Sequence, residues 1–321
     1  MSINRHRLVV VTPVYEDAEA SSRLFEELAV QFGKQVYVVA VDDGSVRQPL
    51  ELPALERAQL NGVILQLRRN VGHQRAIAIG LSYVAEHISP GQNVIVMDSD
   101  GEDVPATISE LLERLDSDHL DAVVAQRKSR VETLKFKAFY EVYKRFFKLM
   151  TGRTISFGNF MALKPVAVKR LVAMQELLIH VAAALLASKL RIAVCAIDRG
   201  PRYAGQSKMN FVGLALHGFR ALMVFAEDVL VRVGIVCALI AGLSVVGAVA
   251  AIVLKIIGFS TPGWFSIALG ILVLMFLQTG ALTLMTLMLT GVVRGGSVAT
   301  AVGYHDFVEQ VLHTAEKPTV V

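Results

Sequence analysis

Two long stretches of this chain carry no formal charge. Residues 233–254 are 22 in number and residues 265–293 are 29. Each exceeds the roughly 20 apolar residues that cross the hydrocarbon of a bilayer. The connection between them, residues 255–264, holds Gly258, Pro262 and Gly263 and reads as a tight hairpin, with Trp264 suited to the membrane interface. Arg220, Arg232 and Arg294 flank the outer ends, whereas the hairpin has only Lys255. The excess of positive charge predicts that both outer ends face the cytoplasm. The hydrophobic fraction of 54% fits a protein partly in lipid. The expected organisation is a soluble domain over 1–228, two transmembrane helices near 229–255 and 265–290 within 229–293, and a cytoplasmic tail over 294–321. The first apolar run is too short for a signal peptide. The chain is therefore expected in the inner (plasma) membrane with its domain in the cytoplasm.

The domain alternates strands and helices. Short β-branched runs at 8–12, 36–41, 63–67, 93–97 and 122–125 read as buried strands, and 18–33, 74–87 and 105–116 read as helices. That alternation predicts an α/β, Rossmann-like domain with a mostly parallel sheet covered on both faces. Polar residues gather just after the strands, at the edge where such sheets bind ligands. The helix expected at 134–150 differs in kind. Phe136, Phe139, Tyr140, Tyr143, Phe147 and Met150 fall on one face, and from Arg127 to Arg153 nine Lys/Arg stand against two Glu. An aromatic face with a basic complement predicts an interfacial helix, as does 208–227. Residues 177–187 are too short to span a bilayer and read as a buried helix, with His180 a core histidine. Cys195 and Cys237 build neither a disulfide framework nor a thiolate metal site.

The chemistry concentrates in Asp98-Ser99-Asp100-Gly101-Glu102-Asp103, which follows a strand. Two carboxylates one residue apart can share a divalent cation, Mg²⁺ or Mn²⁺, and such a cation neutralises a diphosphate leaving group. Asp42-Asp43-Gly44-Ser45 and Thr12-Pro13-Val14-Tyr15-Glu16-Asp17 follow two other strands. Together they favour a nucleotide site: an aromatic and acids for base and ribose, a metal for the diphosphate. No G-x-G-x-x-G follows a strand and no G-x-x-x-x-G-K-[ST] occurs, which argues against dehydrogenases and P-loop nucleotidases. Nothing points to nucleic acid as a partner.

TPVYED, VDDGS, RNVGHQRAIAIGL and MDSDGED stand in this order. As an ordered set they resemble glycosyltransferase family 2, and within it the dolichol-/polyprenyl-phosphate sugar synthases with two C-terminal transmembrane helices. The resemblance covers roughly residues 7–228. It implies a GT-A fold, a nucleotide-sugar donor (UDP or GDP), a polyprenyl phosphate acceptor and inverting transfer. By matched position, Pro13, Tyr15 and Asp17 would border the nucleobase, and Asp42 and Asp43 the base and ribose. Asp98, Asp100 and Glu102 would hold the metal, with Ser99 between them on the nucleotide. The family usually has Gln where Glu102 stands. Arg127 would lie near the phosphates, and Arg199, Arg202, Ser207 and Lys208, in RGPRYAGQSK, would grip donor and acceptor phosphates.

One departure stands out. Many relatives carry an acid in a G-D-F-R stretch, where this chain has Gly158-Asn159-Phe160-Met161. A lipid phosphate is already anionic at pH 7 and needs no general base, so Asn159 is expected to orient a hydroxyl or phosphate instead. A hydroxyl acceptor on a glycolipid or polysaccharide would need a base, with Asp103, Glu102 or Glu176 to serve. The Q-x-x-R-W motif of processive synthases is absent. A non-catalytic nucleotide-binding membrane scaffold is the other alternative, and the missing acid is what favours it. Two transmembrane helices bury little alone, so self-association is expected.

Overall fold

A computed structural model of the protein describes residues 3–117, 119–127, 134–203, 211–259, 261, 263–296 and 303–314. The chain forms two compact units. One comprises Met1–Lys144, Thr154–Val224 and Ala301–Val321, the other Arg145–Arg153 and Phe225–Thr300.

The first unit is built in the order β1 (Leu8–Val14), α1 (Ala18–Phe32), β2 (Val36–Asp42), α2 (Leu52–Arg57), β3 (Asn61–Leu67), α3 (His73–His87), β4 (Asn93–Val96), α4 (Ile108–Ser117) and β5 (Ala122–Arg127). After α5 (Leu134–Thr151) come β6 (Met161–Leu163), α6 (Pro165–Val172), α7 (Val181–Ala187), β7 (Ile192–Ile197) and α8 (Phe211–Met223), and β8 (Val308–His313) lies near the end of the chain. The eight strands form one sheet in the order β7-β5-β6-β4-β1-β2-β3-β8. β1 pairs in parallel with β2 and β4, β2 with β3, and β5 with β7, whereas β6 and β8 run antiparallel to their neighbours.

Strands buried on both faces need no alternation of polar residues, and β1 shows why its run is unbroken. Val9 and Val11 enter one core with Ile77, Ile79 and Leu81, while Leu8 and Val10 enter the other with Leu24, Phe25 and Leu28. Each fully buried Val or Leu contributes about 1.5–3 kcal/mol relative to exposure. Gly80 lets α3 lie on the sheet, since a Cβ there would come 2.6 Å from the Val11 side chain.

Three strands lie outside those expected from the sequence: β6, β7 and β8. β6 has three residues, below what periodicity can resolve. β8 falls in the segment expected to be a tail. It pairs with β3 at the sheet edge, and Gly62 N–H donates to Thr314 Oγ at 3.0 Å. Its VEQVLH buries only Val308 fully, so it lacks the apolar signature of a strand.

The second unit holds α9 (Ala226–Ile256) and α10 (Trp264–Gly296). Both are long and apolar enough to cross a membrane, over 31 residues of α9 and the 29 residues Trp264–Val292 of α10. Glycines bring them together: a Cβ on Gly234 would meet Thr286 Oγ at 2.9 Å, and one on Gly247 would meet Leu272 at 3.1 Å. In the same unit Phe147 stacks edge-on against Phe225, and Arg232 donates to the Leu149 carbonyl at 3.0 Å.

Candidate active site

The strand directions decide which residues meet. β1, β2, β3, β4, β5 and β7 all point the same way, so their C-terminal ends share one edge of the sheet. The antiparallel β6 begins at that edge, which brings Asn159 to it. The loops after β1, β2 and β4, the start of α3, the end of β5 and the segment after β7 therefore converge there.

The first two loops are tied to each other. Asp42 accepts from Ser45 N–H at 3.0 Å and Leu50 N–H at 2.9 Å. Asp43 accepts from Val71 N–H at 2.7 Å and Gly72 N–H at 2.9 Å. Both carboxylates are only 2% exposed. Burial pushes Asp43 above the usual carboxylate range, against the pull of the two amides. These acids, expected on base and ribose, hold the backbone of the segments after β2 and β3. Gly44 is required here: its φ is +70°, and a Cβ would come 2.5 Å from the backbone of Arg69. Glu16 was not singled out in the sequence. Its carboxylate accepts from the N–H groups of Val46, Arg47 and Gln48 at 2.8–3.1 Å, which holds it below the usual range. Tyr15 is exposed beside it and Asp17 leads into α1. Pro13 lies buried within β1, and its carbonyl accepts from Ser99 Oγ at 3.1 Å.

The acidic turn after β4 is clasped by the segment after β7. Gly200 N–H donates to the Glu102 carbonyl at 3.0 Å and Tyr203 N–H to the Asp100 carbonyl at 2.9 Å. Only glycines allow this approach, because a Cβ on Gly200 would sit 2.6 Å from Gly101 O and one on Gly101 2.7 Å from the Tyr203 ring. Arg202 places Nη2 at 2.9 Å from Asp100 and Nε at 3.1 Å from Glu102, and Arg199 pairs with Glu102 as well. Burial and then the charge of Asp98 raise Asp100, while Arg202 and Arg199 oppose them. Asp103 accepts from Asp98 N–H at 2.9 Å and shapes the turn.

A third group lies across from Asp98. Val181 N–H donates to Gln74 Oε1 at 2.7 Å, which orients the amide so that Gln74 Nε2 donates to Asn159 Oδ1 at 3.2 Å. Asn159 Nδ2 is then 3.1 Å from His73 Nε2, itself 3.2 Å from Asp98. Nε2 accepts from Asn159 in the neutral Nδ1–H tautomer and donates to Asp98 whenever it carries a proton. Burial lowers the His73 pKa, but Asp98, Asp103 and Asp100 together raise it above the usual value. His73 and Gln74 sit inside the RNVGHQRAIAIGL motif, yet only the fold shows them facing Asp98 and Asn159. His180, expected as a core residue, is buried, caps α7 through Ala183 N–H and lies 3.1 Å from His217.

The donor set for a divalent cation is hard carboxylate oxygen, and two like charges at Asp98 and Asp100 are what a cation relieves. Those two acids fit. Glu102 is turned to the arginines, and among the described residues no three His, Cys, Asp or Glu side chains form a metal-holding group. Arg127 closes β5 opposite Ile197. Ser207 and Lys208 lie outside the described residues.

Residues 9–168 match the sequence profile of Glycosyl transferase family 2. An uncharacterized glycosyltransferase of Bacillus subtilis (strain 168), YkcC, is 29% identical over 159 residues, 47% of this chain and 46% of that protein. The chain thus spans about half the length of this curated relative. Among solved structures, glucosyl-3-phosphoglycerate synthase of Mycobacterium tuberculosis, in complex with Mn²⁺, UDP-glucose and phosphoglyceric acid, is similar with a TM-score of 0.52 and 12% identity, over 70% of this chain and 80% of that one. A mycobacterial protein is similar with a TM-score of 0.50 and 14% identity, over 70% and 74%. At such identities the likeness is one of fold.

Proposed function

We propose that this chain, which carries a glycosyl transferase family 2 domain over residues 9–168, transfers a sugar from a nucleotide-sugar to the phosphate of a polyprenyl lipid. Transfer inverts the anomeric centre and takes place at the cytoplasmic face of the inner membrane. The observation that carries this reading is the meeting, at one sheet edge, of paired acids (Asp98, Asp100) with paired guanidinium groups (Arg199, Arg202). That combination suits a diphosphate leaving group.

A divalent cation on Asp98 and Asp100 would neutralise charge developing on the departing nucleoside diphosphate. The chain's own residues do the rest. Glu16, which ties the loop after β1 to the 46–48 turn, holds Tyr15 where it would meet the base. Arg199 and Arg202 offer planar, permanently charged donors to phosphate oxygens. The acceptor phosphate is anionic at pH 7 and needs no base, which is why an amide at Asn159 suffices where relatives carry an acid. The lipid side of the reading is supported by the two long apolar helices and by the exposed Val142, Phe146 and Leu149 on α5.

The acceptor is tested by offering purified, detergent-solubilised protein undecaprenyl phosphate or the corresponding alcohol. Product is expected from the phosphate alone. Product from the alcohol would move the acceptor to hydroxyl chemistry.

A further inference from the structure

Glu102 occupies the place of a metal ligand in the sequence and of a counter-ion in the structure. Its Oε1 is 3.1 Å from Arg202 Nε and its Oε2 pairs with Arg199, so both oxygens face guanidinium groups. The side chain is 14% exposed, against 32% for Arg199 and 27% for Arg202, so the three form a largely covered cluster. The arrangement is built by the backbone, since the Gly200 and Tyr203 amides bind the carbonyls of Glu102 and Asp100. It does not depend on the flexibility of two long side chains.

We propose that Glu102 is the resident counter-anion of Arg199 and Arg202, holding both guanidinium groups in place until the diphosphate of the donor displaces it. The proposal rests on the glycosyltransferase reading of this site and assigns Glu102 a positioning role in it. The charges give the reason. Asp98, Asp100, Glu102 and Asp103 against two arginines leave a formal excess of two negative charges, which repels a diphosphate arriving alone. A divalent cation held by Asp98 and Asp100 would cancel that excess and leave Glu102 as the group the phosphate must replace. A glutamine there would keep one acceptor oxygen, turn the other position into a donor and carry no charge, so the arginines would be taken more readily.

The test uses full-length protein in detergent, unmutated and as Glu102→Gln, with two probes. UDP and GDP are titrated in EDTA, and Mn²⁺ is titrated alone with free ion read by electron paramagnetic resonance. Glu102→Gln is expected to tighten metal-free nucleotide binding at least about tenfold, since a charge-assisted competitor is removed. It is expected to leave Mn²⁺ affinity within about threefold, as for the loss of one nearby charge. A loss of Mn²⁺ affinity beyond tenfold would make Glu102 a metal ligand and overturn the proposal. Unchanged metal-free nucleotide binding would overturn it too. Should Glu102→Gln not fold, Arg199→Gln serves: it must weaken metal-free nucleotide binding, and no change contradicts the proposal. If the unmutated protein binds neither UDP nor GDP even with Mn²⁺, the glycosyltransferase reading itself falls and the proposal with it.

Discussion

Arg202 Nη2 stands 2.9 Å from Asp100 Oδ2, and its Nε stands 3.1 Å from Glu102 Oε1. One guanidinium fork thus bridges two acids of the same turn. A lysine can satisfy only one of these directions at a time. Arg202→Lys should retain part of the nucleotide affinity and Arg202→Ala should lose far more, about tenfold or beyond relative to lysine. Calorimetric titration of UDP and GDP with Mn²⁺ checks this. Equal losses would reduce Arg202 to a point charge.

Gly44 joins the turn after β2 to the backbone of Arg69 and Asn70 at a φ of +70°. Gly44→Ala pays twice, in conformation and in collision with main chain that cannot swing away. We expect a loss of about 2–4 kcal/mol, read as a lowered melting temperature. Weakened nucleotide binding should accompany it, because Asp43 anchors the same loop.

Glu16 acts from outside the core. Its carboxylate holds three successive amides of the 46–48 turn. Glu16→Ala should leave the melting temperature nearly unchanged and weaken nucleotide affinity by about three- to tenfold. A large drop in melting temperature would show that the turn belongs to the folding core instead.

His180 gives the fold a pH dependence. Burial, and then the neighbouring His217, hold its pKa down at about 3 in the folded chain, against 6.5 for an ordinary histidine. Between these values the unfolded chain binds a proton that the folded chain does not. The stability that a neutral His180 supports is therefore whole above pH 6.5 and declines as pH falls toward 3. His180→Asn keeps a capping acceptor for α7 and removes this titration. Melting temperatures from pH 7 to pH 4 should fall less steeply in the variant than in the parent. Parallel slopes would mean that His180 is solvated in the folded chain.

How legible all this was in the sequence differs by element. The unbroken Val-rich runs of β1 and β2 announce strands buried on both faces, and the uncharged lengths of α9 and α10 announce themselves by length alone. β8 stayed hidden because an edge strand needs only one buried residue. The acidic turn and the RGPR segment were each visible, but not that Gly101 and Gly200 press them together. Backbone approach leaves no trace in residue type beyond two glycines among 24. Asn159 was noticed as a departure from relatives. Its bond to Gln74 depends on Val181 N–H, more than 100 residues from Gln74 in sequence, and no local pattern carries such a link. Glu102 shows the converse limit, since motif position suggests a metal ligand and the fold turns it to arginines.

The most direct measurement is a transfer assay with purified, detergent-solubilised protein and undecaprenyl phosphate. A panel of UDP- and GDP-sugars would be offered with Mn²⁺ or Mg²⁺, and again with EDTA, for the parent and for Asp100→Ala. A sugar–lipid product is expected from at least one donor, lost with EDTA and lost in a folded Asp100→Ala variant. Undiminished product with EDTA, or from Asp100→Ala, would contradict metal-dependent transfer.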